Sequence, residues 1–305
     1  MIRKHNRRAA KAAFTVALGV AIILGGAAAA PAADSKAAAT PIIIGTKNFP
    51  EQYLLGQLYK QALEAKGLKV SYKQDIGSTE LIGKALTSGK ITMYPEYTGT
   101  ILSVTFGRKT APSTSLGTYD LAKRLYGAKG YTLTKQTPFE DKDVVTVLRT
   151  TATKYGLKTL ADLKKVPNLS IAGFPEFQTR RIPQLSRLYG VKNVKFVPLA
   201  SISAYQLLDR KQVLAADVFT TDPQLISTKY VQLRDPKNMF GFQHVAPIVK
   251  KSLLTENGAV FATTLNKVSA FLTVRAMIAM NKAVIVDKKS PVKVAAAFLK
   301  ANGLK

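Results

Sequence analysis

The sequence contains no cysteine and only two histidines in 305 residues. The lack of thiols excludes disulfides, cysteine nucleophiles, thiolate metal sites and lipid anchors attached through cysteine. One histidine, His5, lies in an N-terminal segment with the features of an export signal, so His244 is the remaining imidazole. We therefore predict a protein with no metal, no cofactor and no catalytic residues.

Sequence motifs of hydrolases are missing as well. The chain has neither a G-x-S-x-G nucleophile turn nor an H-E-x-x-H zinc motif. A Ser-His-Asp triad would depend on His244, and Glu51, Glu80 and Glu96 lie on separate segments with no spacing that joins them as an acid/base pair. An exported hydrolase is an alternative that the sequence disfavours.

Acidic residues are scarce: 45 basic minus 18 acidic side chains give a net charge of +27. Such a field attracts anionic envelope polymers, lipid surfaces or nucleic acid. The lysines, however, are dispersed along the chain and are not interleaved with aromatic residues as in single-strand binders. We interpret the charge as a solvated surface and predict no nucleic-acid partner; a basic protein that binds the cell envelope is an alternative.

The first 33 residues have the pattern of a signal peptide. Five basic residues, the last of them Lys11, precede an uncharged run over 12–33 that ends in small residues around Ala30-Pro31-Ala32. This pattern predicts export across the cytoplasmic membrane, with residues 34–40 as a tether. An uncleaved membrane anchor is the alternative.

The rest of the chain alternates between short apolar runs and amphipathic segments. Strands are predicted at 42–45, 68–73, 91–94, 131–134, 144–148, 169–172, 195–198, 216–220, 230–233 and 245–249. Helices are predicted at 51–65, 77–89, 97–106, 120–129, 160–165, 182–189, 203–208, from 222, and at 259–269, 273–287 and 292–301. This alternation predicts an α/β protein whose sheets are mostly parallel, with helices on both faces.

The three C-terminal helices need a sheet to cover, and the first part of the chain offers one. We therefore predict two α/β lobes, lobe I from 41–145 plus 246–305 and lobe II from 146–245. The strands 144–148 and 245–249 would cross between the lobes as a hinge. Two lobes joined by two crossovers form a clamp with a ligand cleft between them.

The stretch from Tyr94 to Thr100, with the sequence Tyr-Pro-Glu-Tyr-Thr-Gly-Thr, has the composition of a ligand loop. It follows an apolar run, and its proline and glycine indicate a stiff turn at the carboxyl edge of a strand. In open α/β sheets, ligands bind at that edge. The alternative is a turn whose tyrosines only cap a core.

Seven blocks, in this order along the chain, resemble the substrate-binding proteins of osmoprotectant (glycine betaine, choline, carnitine) ABC importers. They are Gly45-Thr-Lys-Asn-Phe49 with Glu51-Gln52, Gly77-Ser-Thr-Glu80, Tyr94 to Thr100, Lys158-Thr-Leu-Ala-Asp162-Leu163, Pro175-Glu-Phe177 with Arg180 or Arg181, Phe219-Thr-Thr-Asp222, and Ala246-Pro247. The resemblance implies the type II periplasmic-binding-protein fold. It also implies a monomer that delivers a small zwitterionic or cationic solute to an ABC permease in the membrane.

The family traps a quaternary ammonium in an aromatic cage and holds a carboxylate with cationic and hydroxyl groups. By resemblance, the anionic end of the ligand is assigned to Lys47, Thr100 and either Arg180 or Arg181. The cationic end is assigned to Tyr97, Asp143 and Phe219, because an ammonium without N–H donors is bound by π faces and negative charge. Further candidates are Thr79, Tyr94, Phe242 and Gln243.

This chain departs from the family at two cage positions, where it has Val145 and the segment Gly241-Phe-Gln-His244. A different amine or an amino-acid-like zwitterion is therefore an alternative ligand. For several of these residues a purely structural role is the alternative. Lys47 would be one more surface lysine, Asp143 a cap of the hinge strand and Asp222 the N-cap of its helix. Arg180 and Arg181 are adjacent, so at most one is expected to point inward.

Overall fold

The computed structural model describes residues 39–175, 177–199 and 203–305. The predicted signal peptide, residues 34–38 of the predicted tether and Glu176 lie outside the described residues. Within those ranges no single helix has the length and hydropathy of a membrane span. The helices Gly258–Phe271 and Val274–Ile285 pass that criterion only when they are taken together across an 87° bend.

Ten strands in the described ranges form two five-stranded sheets. In chain order they are β1 (Ile42–Gly45), β2 (Val70–Lys73), β3 (Met93–Tyr97), β4 (Tyr131–Leu133), β5 (Asp143–Leu148), β6 (Ser170–Gly173), β7 (Lys195–Pro198), β8 (Ala215–Phe219), β9 (Tyr230–Gln232) and β10 (Val245–Lys250). Sheet I has the order β2-β1-β3-β10-β4, and sheet II has the order β7-β6-β8-β5-β9. The two sheets confirm the predicted pair of α/β lobes.

Helices connect and cover the sheets. They are α1 (Pro50–Glu64), α2 (Thr79–Thr87), α3 (Thr98–Thr100), α4 (Ser115–Gly127), α5 (Arg149–Tyr155), α6 (Ile182–Tyr189), α7 (Ala204–Asp209), α8 (Lys251–Glu256), α9 (Gly258–Phe271), α10 (Val274–Ile285) and α11 (Pro291–Ala301). Leu160–Lys165 and Pro223–Ile226 are 3-10 segments, while Ile101–Thr105 and Phe177–Arg181 are π-helical.

Each sheet contains one strand that is antiparallel to its neighbours. β10 runs antiparallel to β3 and β4 in sheet I, and β5 runs antiparallel to β8 and β9 in sheet II. These are the two strands predicted as crossovers, and each enters its sheet from the opposite lobe, which reverses its direction. The strands do not span the gap themselves. The chain crosses in the preceding segments, 134–142 and 233–244, which meet at an antiparallel bridge between Glu140 and His244. The lobe limits remain a proposal.

The Tyr94–Thr100 stretch is mostly strand, so the predicted turn at its start is wrong. β3 continues through Pro95 to Tyr97, and Pro95 lies opposite Pro247 of β10. Two prolines can face each other in an antiparallel pair that exchanges no hydrogen bonds. The pairings of β3 with β1 and of β10 with β4 stop short of these prolines, so neither missing N–H is required. The Pro95 carbonyl accepts a hydrogen bond from Gln52 Nε2 at 3.1 Å.

Apolar clusters cover both faces of each sheet. In sheet I, one cluster joins β1, β3 and β10 to α1, α9 and α11, and a second packs α2 and α4 on the other face. In sheet II, α5 and α6 cover one face and α7 covers the other. The C-terminal helices therefore pack against sheet I, as predicted. α10 belongs to the same cluster, and its residues Asn281 and Ile285 reach the space between the two sheets.

Candidate functional site

A cavity of about 530 Å³ lies between loops of the two sheets. Sheet I contributes the segment after β1 and the end of β3, and sheet II contributes the start of β5 and the end of β8. Eight of the residues predicted from the sequence line this cavity: Lys47, Thr79, Tyr97, Thr100, Asp143, Arg181, Phe219 and Gln243. The structure thus brings most of the predicted set to one place.

Three predicted residues lie away from this cavity. Tyr94 is fully buried in the second sheet I cluster, where its hydroxyl lies 3.2 Å from that of Tyr126. Arg180 and Phe242 line a neighbouring cavity of about 570 Å³ instead. Of the two adjacent arginines, only Arg181 lines both cavities.

The cavity also contains residues that the sequence prediction did not select as ligand contacts. They are Phe49, Pro50, Glu51, Asp141, Lys142, Thr221, Asp222, Phe240, Asn281 and Ile285. Phe49 and Glu51 belong to a block that carried the family resemblance, so that block contained a usable signal. Asn281 and Ile285 come from α10, far along the chain, and only the tertiary packing of that helix identifies them.

Aromatic rings from both lobes face the cavity. Phe49 and Tyr97 are stacked, with ring centroids 6.3 Å apart and planes at 21°. On the opposite side, Phe219 is 39% exposed, and the buried Phe240 lies with its ring centroid 5.3 Å from the Arg181 guanidinium carbon. Aromatic rings of the kind that bind a quaternary ammonium therefore line the cavity from both lobes, and Phe240 stands there in place of the predicted Phe242.

Lys47 is not an exposed loop lysine. It is 5% exposed, and its Nζ lies 2.5 Å from Oε1 of Glu96, which is fully buried. The same ammonium lies 5.1 Å from the centre of the Tyr97 ring. The charge of Lys47 is thus balanced by a carboxylate of the protein itself.

Arg181 is likewise paired. Its guanidinium donates to Asp143 Oδ2 at 2.8 and 3.2 Å, and its third nitrogen donates to the Met239 carbonyl at 3.2 Å. Lys142, the remaining cation of the cavity, lies 2.9 Å from Glu140. Every cation that lines the cavity therefore has a carboxylate partner.

Three carboxyls of the cavity, Glu51, Asp141 and Asp222, have only neutral partners among the described residues. Glu51 accepts hydrogen bonds from the Tyr97 hydroxyl at 2.9 Å and from Asn281 Nδ2 at 2.7 Å. Asp141 accepts one from the Thr221 hydroxyl at 2.8 Å. Burial raises the pKa of Glu51, and burial together with the nearby Glu51 charge raises the pKa of Asp141 well above its usual value.

Asp222 lines the cavity and stands at the N-cap position of the Pro223–Ile226 segment, but its side chain makes no capping hydrogen bond there. Its Oδ2 accepts hydrogen bonds from the Tyr205 hydroxyl at 2.9 Å and from the Phe219 amide at 3.2 Å. Burial raises the pKa of Asp222 as well.

The first lobe meets the crossing segment at Gly99 and Thr100. The Thr100 amide donates to Gln243 Oε1 at 3.0 Å. A Cβ at Gly99 would lie 2.6 Å from the Phe242 carbonyl oxygen, so glycine allows this close approach. The end of the predicted ligand loop therefore contacts the hinge directly.

Residues 40–301 match the family described as the substrate binding domain of ABC-type glycine betaine transport systems. The chain belongs to this family. It is accordingly a solute-binding component of an ABC importer, and members of the family are extracellular or periplasmic binding proteins.

Curated relatives and solved structures agree with the family over nearly the whole chain. A glycine-betaine-binding protein of Pseudomonas aeruginosa is 30% identical over 282 residues, which cover 88% of this chain and 90% of the relative. The ligand-free structure of Escherichia coli YehZ, named a glycine betaine-binding protein, matches with a TM-score of 0.74 and 28% identity, covering 88% of this chain and 100% of that one. A glycine betaine/carnitine/choline transporter structure, at 20% identity and a TM-score of 0.79, covers 86% of this chain and 99% of that one and shows the fold alone.

Proposed function

We propose that the cavity between the sheets captures a small solute with a quaternary ammonium head, such as choline, carnitine or glycine betaine, for delivery to the permease. The observation that carries this proposal is the meeting of aromatic rings and carboxyls in one cavity. An ammonium without N–H donors gains little from hydrogen-bond acceptors and is held by π faces and negative charge. The volume of about 530 Å³ lies within the usual range for small-molecule sites.

Each lobe supplies aromatic rings to one wall of the cavity. Phe49 and Tyr97 supply stacked rings from lobe I, and Phe219 supplies a partly exposed ring from lobe II. Closure of the lobes would bring the second wall onto the ligand and remove it from water. Each added ring face contributes about 0.5 to 2 kcal/mol to cation binding, depending on how well the site excludes water.

A second candidate ligand class is a smaller amine that retains N–H groups. Asn281 favours it: this residue is 3% exposed, and its Oδ1 has no hydrogen-bond partner among the described residues. Its Nδ2 donates to Glu51 and to the Thr221 carbonyl, which fixes the orientation of the amide. A ligand N–H or O–H would satisfy the free oxygen.

Tyr97 provides the sharpest test of the aromatic site. Tyr97→Ala removes the ring. For each protein, the rise in melting temperature caused by millimolar choline, carnitine or betaine is measured against the same protein without ligand. We expect the rise of the variant to be at most half that of the wild type. Tyr97→Phe keeps the ring and should retain most of the rise. Lys60→Ala, at a half-buried position outside the cavity, is the control and should behave as wild type. If none of the three solutes raises the melting temperature of the wild type, the ligand assignment fails.

We also propose that the protein is exported as a monomer and that residues 1–33 are removed as a signal peptide. The basic segment, the uncharged run and the small residues before Ala33 support export and cleavage. We expect the mass of the protein recovered from the cell exterior to correspond to a chain that starts near Asp34. A full-length mass in that fraction would indicate a retained anchor instead. No catalytic activity is assigned to the protein.

A further inference from the structure

The carboxyls that line the cavity outnumber its cations, and each cation already forms an ion pair with a carboxylate. Glu51, Asp141, Asp143 and Asp222 face Lys47, Lys142 and Arg181 around the same space. The three cations are paired with Glu96, Glu140 and Asp143, respectively. Glu51, Asp141 and Asp222 consequently share the cavity without an ion-pair partner among the described residues.

Glu51 is enclosed by neutral groups from several elements. It extends from α1 and is 4% exposed. It meets the Tyr97 hydroxyl from β3, Asn281 from α10 and Thr221 from the loop after β8. Two other carboxyls interact with Glu51 electrostatically. The charge of Asp222 in lobe II raises the pKa of Glu51, and the charge of Glu51 raises the pKa of Asp141 in the crossing segment.

Asp141 completes the cluster from the crossing segment. It accepts a hydrogen bond from the Thr221 hydroxyl. The negative charges of Glu51, Asp222 and Asp143 all raise its pKa. Buried carboxylates that lack a cation are costly, so such groups take up protons when the space beside them is empty. A bound cation would reverse this preference.

We infer that Glu51, Asp141 and Asp222 form an acidic subsite that selects ligands with a net positive charge and releases a proton when such a ligand binds. This inference rests on the proposed function, because it concerns the ligand of the same cavity. Asn281 supports it independently, since its unpartnered Oδ1 adds another acceptor beside Glu51. The subsite should accept a cationic head group together with one hydroxyl or N–H donor.

The charge balance predicts which solute is preferred. Choline brings one positive charge and a hydroxyl, whereas glycine betaine brings a carboxylate as well. That carboxylate would have to compete with Glu96, Glu140 or Asp143 for a cation that is already paired. We therefore expect choline to bind more tightly than glycine betaine, and its affinity to increase with pH until the carboxyls ionise in the empty protein.

Isothermal titration calorimetry of the mature chain tests this inference. Titrations are run at neutral pH in two buffers with different ionisation enthalpies, with choline and with glycine betaine as probes. We expect choline binding to release between about half a proton and one proton, and glycine betaine binding to release less. Glu51→Gln removes one titrating group, so the proton release should fall and choline affinity should drop about tenfold, with a smaller loss for glycine betaine.

Two further variants make the result decisive. Glu64→Gln makes the same change on the exposed face of α1 and should leave both affinities unchanged. Asp141→Asn repeats the test from the crossing segment in case Glu51→Gln fails to fold. If both ligands bind without proton release, or if the choline-to-betaine affinity ratio is the same in the wild type and both carboxyl variants, the acidic subsite is refuted while the proposed function stands. If neither ligand binds the wild type, the proposed function fails first.

Discussion

At the scale of single residues, the Lys47–Glu96 pair belongs both to the site and to the core of lobe I. Both side chains are buried, and Glu96 Oε2 has no hydrogen-bond partner among the described residues. Its other oxygen is held by Lys47 and by the Tyr97 amide at 2.8 Å. The pair therefore fixes the backbone of Tyr97, the residue at the centre of the aromatic wall.

Removing one partner of a buried ion pair leaves the other charge without compensation. We expect Lys47→Met to lower the free energy of unfolding by about 3 kcal/mol, measured by urea denaturation. Lys60→Met is the matched control, because Lys60 makes an exposed pair with Glu64 one turn away on α1 and should cost under about 0.5 kcal/mol. The double variant Lys47→Met/Glu96→Gln should recover part of the loss. Equal stability of the Lys47 and Lys60 variants would show that the buried pair contributes nothing.

At the scale of secondary structure elements, local patterns predicted most of the fold. β1, α6 and β7 have the predicted bounds, because an apolar run or a proline at the helix start defines each of them. The pattern missed α5 and α8, two short helices that directly follow β5 and β10. Both begin where an apolar strand ends, and neither has a side-chain N-cap that would separate helix from strand in the sequence.

The residues of the site divide in the same way: those in recognisable local segments were predicted, and those that depend on long-range packing were missed. Residues near strand ends, such as Lys47, Tyr97 and Phe219, were assigned because their sequence blocks resemble those of the family, and the ends of neighbouring parallel strands lie at one edge of a sheet. Asn281 and Ile285 were missed because α10 reaches the cavity only through long-range packing against α1 and the Pro223–Ile226 segment. The ion pairs of Lys47 and Arg181 were also missed, because nothing in the spacing of residues along the chain predicts a partner that is tens of residues away.

At the scale of the whole molecule, the architecture is that of a clamp. Two sheets are linked through segments 134–142 and 233–244, and the Glu140–His244 bridge joins those segments side by side. The His244 ring lies against carbonyl oxygens of Thr137 and Phe139, at 2.8 and 3.1 Å from Nδ1. These contacts hold the two crossings together, so the lobes are expected to rotate about them as units.

Because the chain has no cysteine, a pair of introduced cysteines would report this rotation without competing labels. Leu116 of α4 and Ile226 of lobe II are 64% and 58% exposed, so fluorophores at both positions should not disturb the core. We expect saturating choline to change the energy transfer between Leu116→Cys and Ile226→Cys, because the bound cation would contact rings of lobe I together with Asp222 and Phe219 of lobe II. A second pair, Leu116→Cys with Leu81→Cys, lies within lobe I and should stay constant. If the inter-lobe signal stays constant while choline still raises the melting temperature, the ligand enters a preformed site and the two lobes do not close on it.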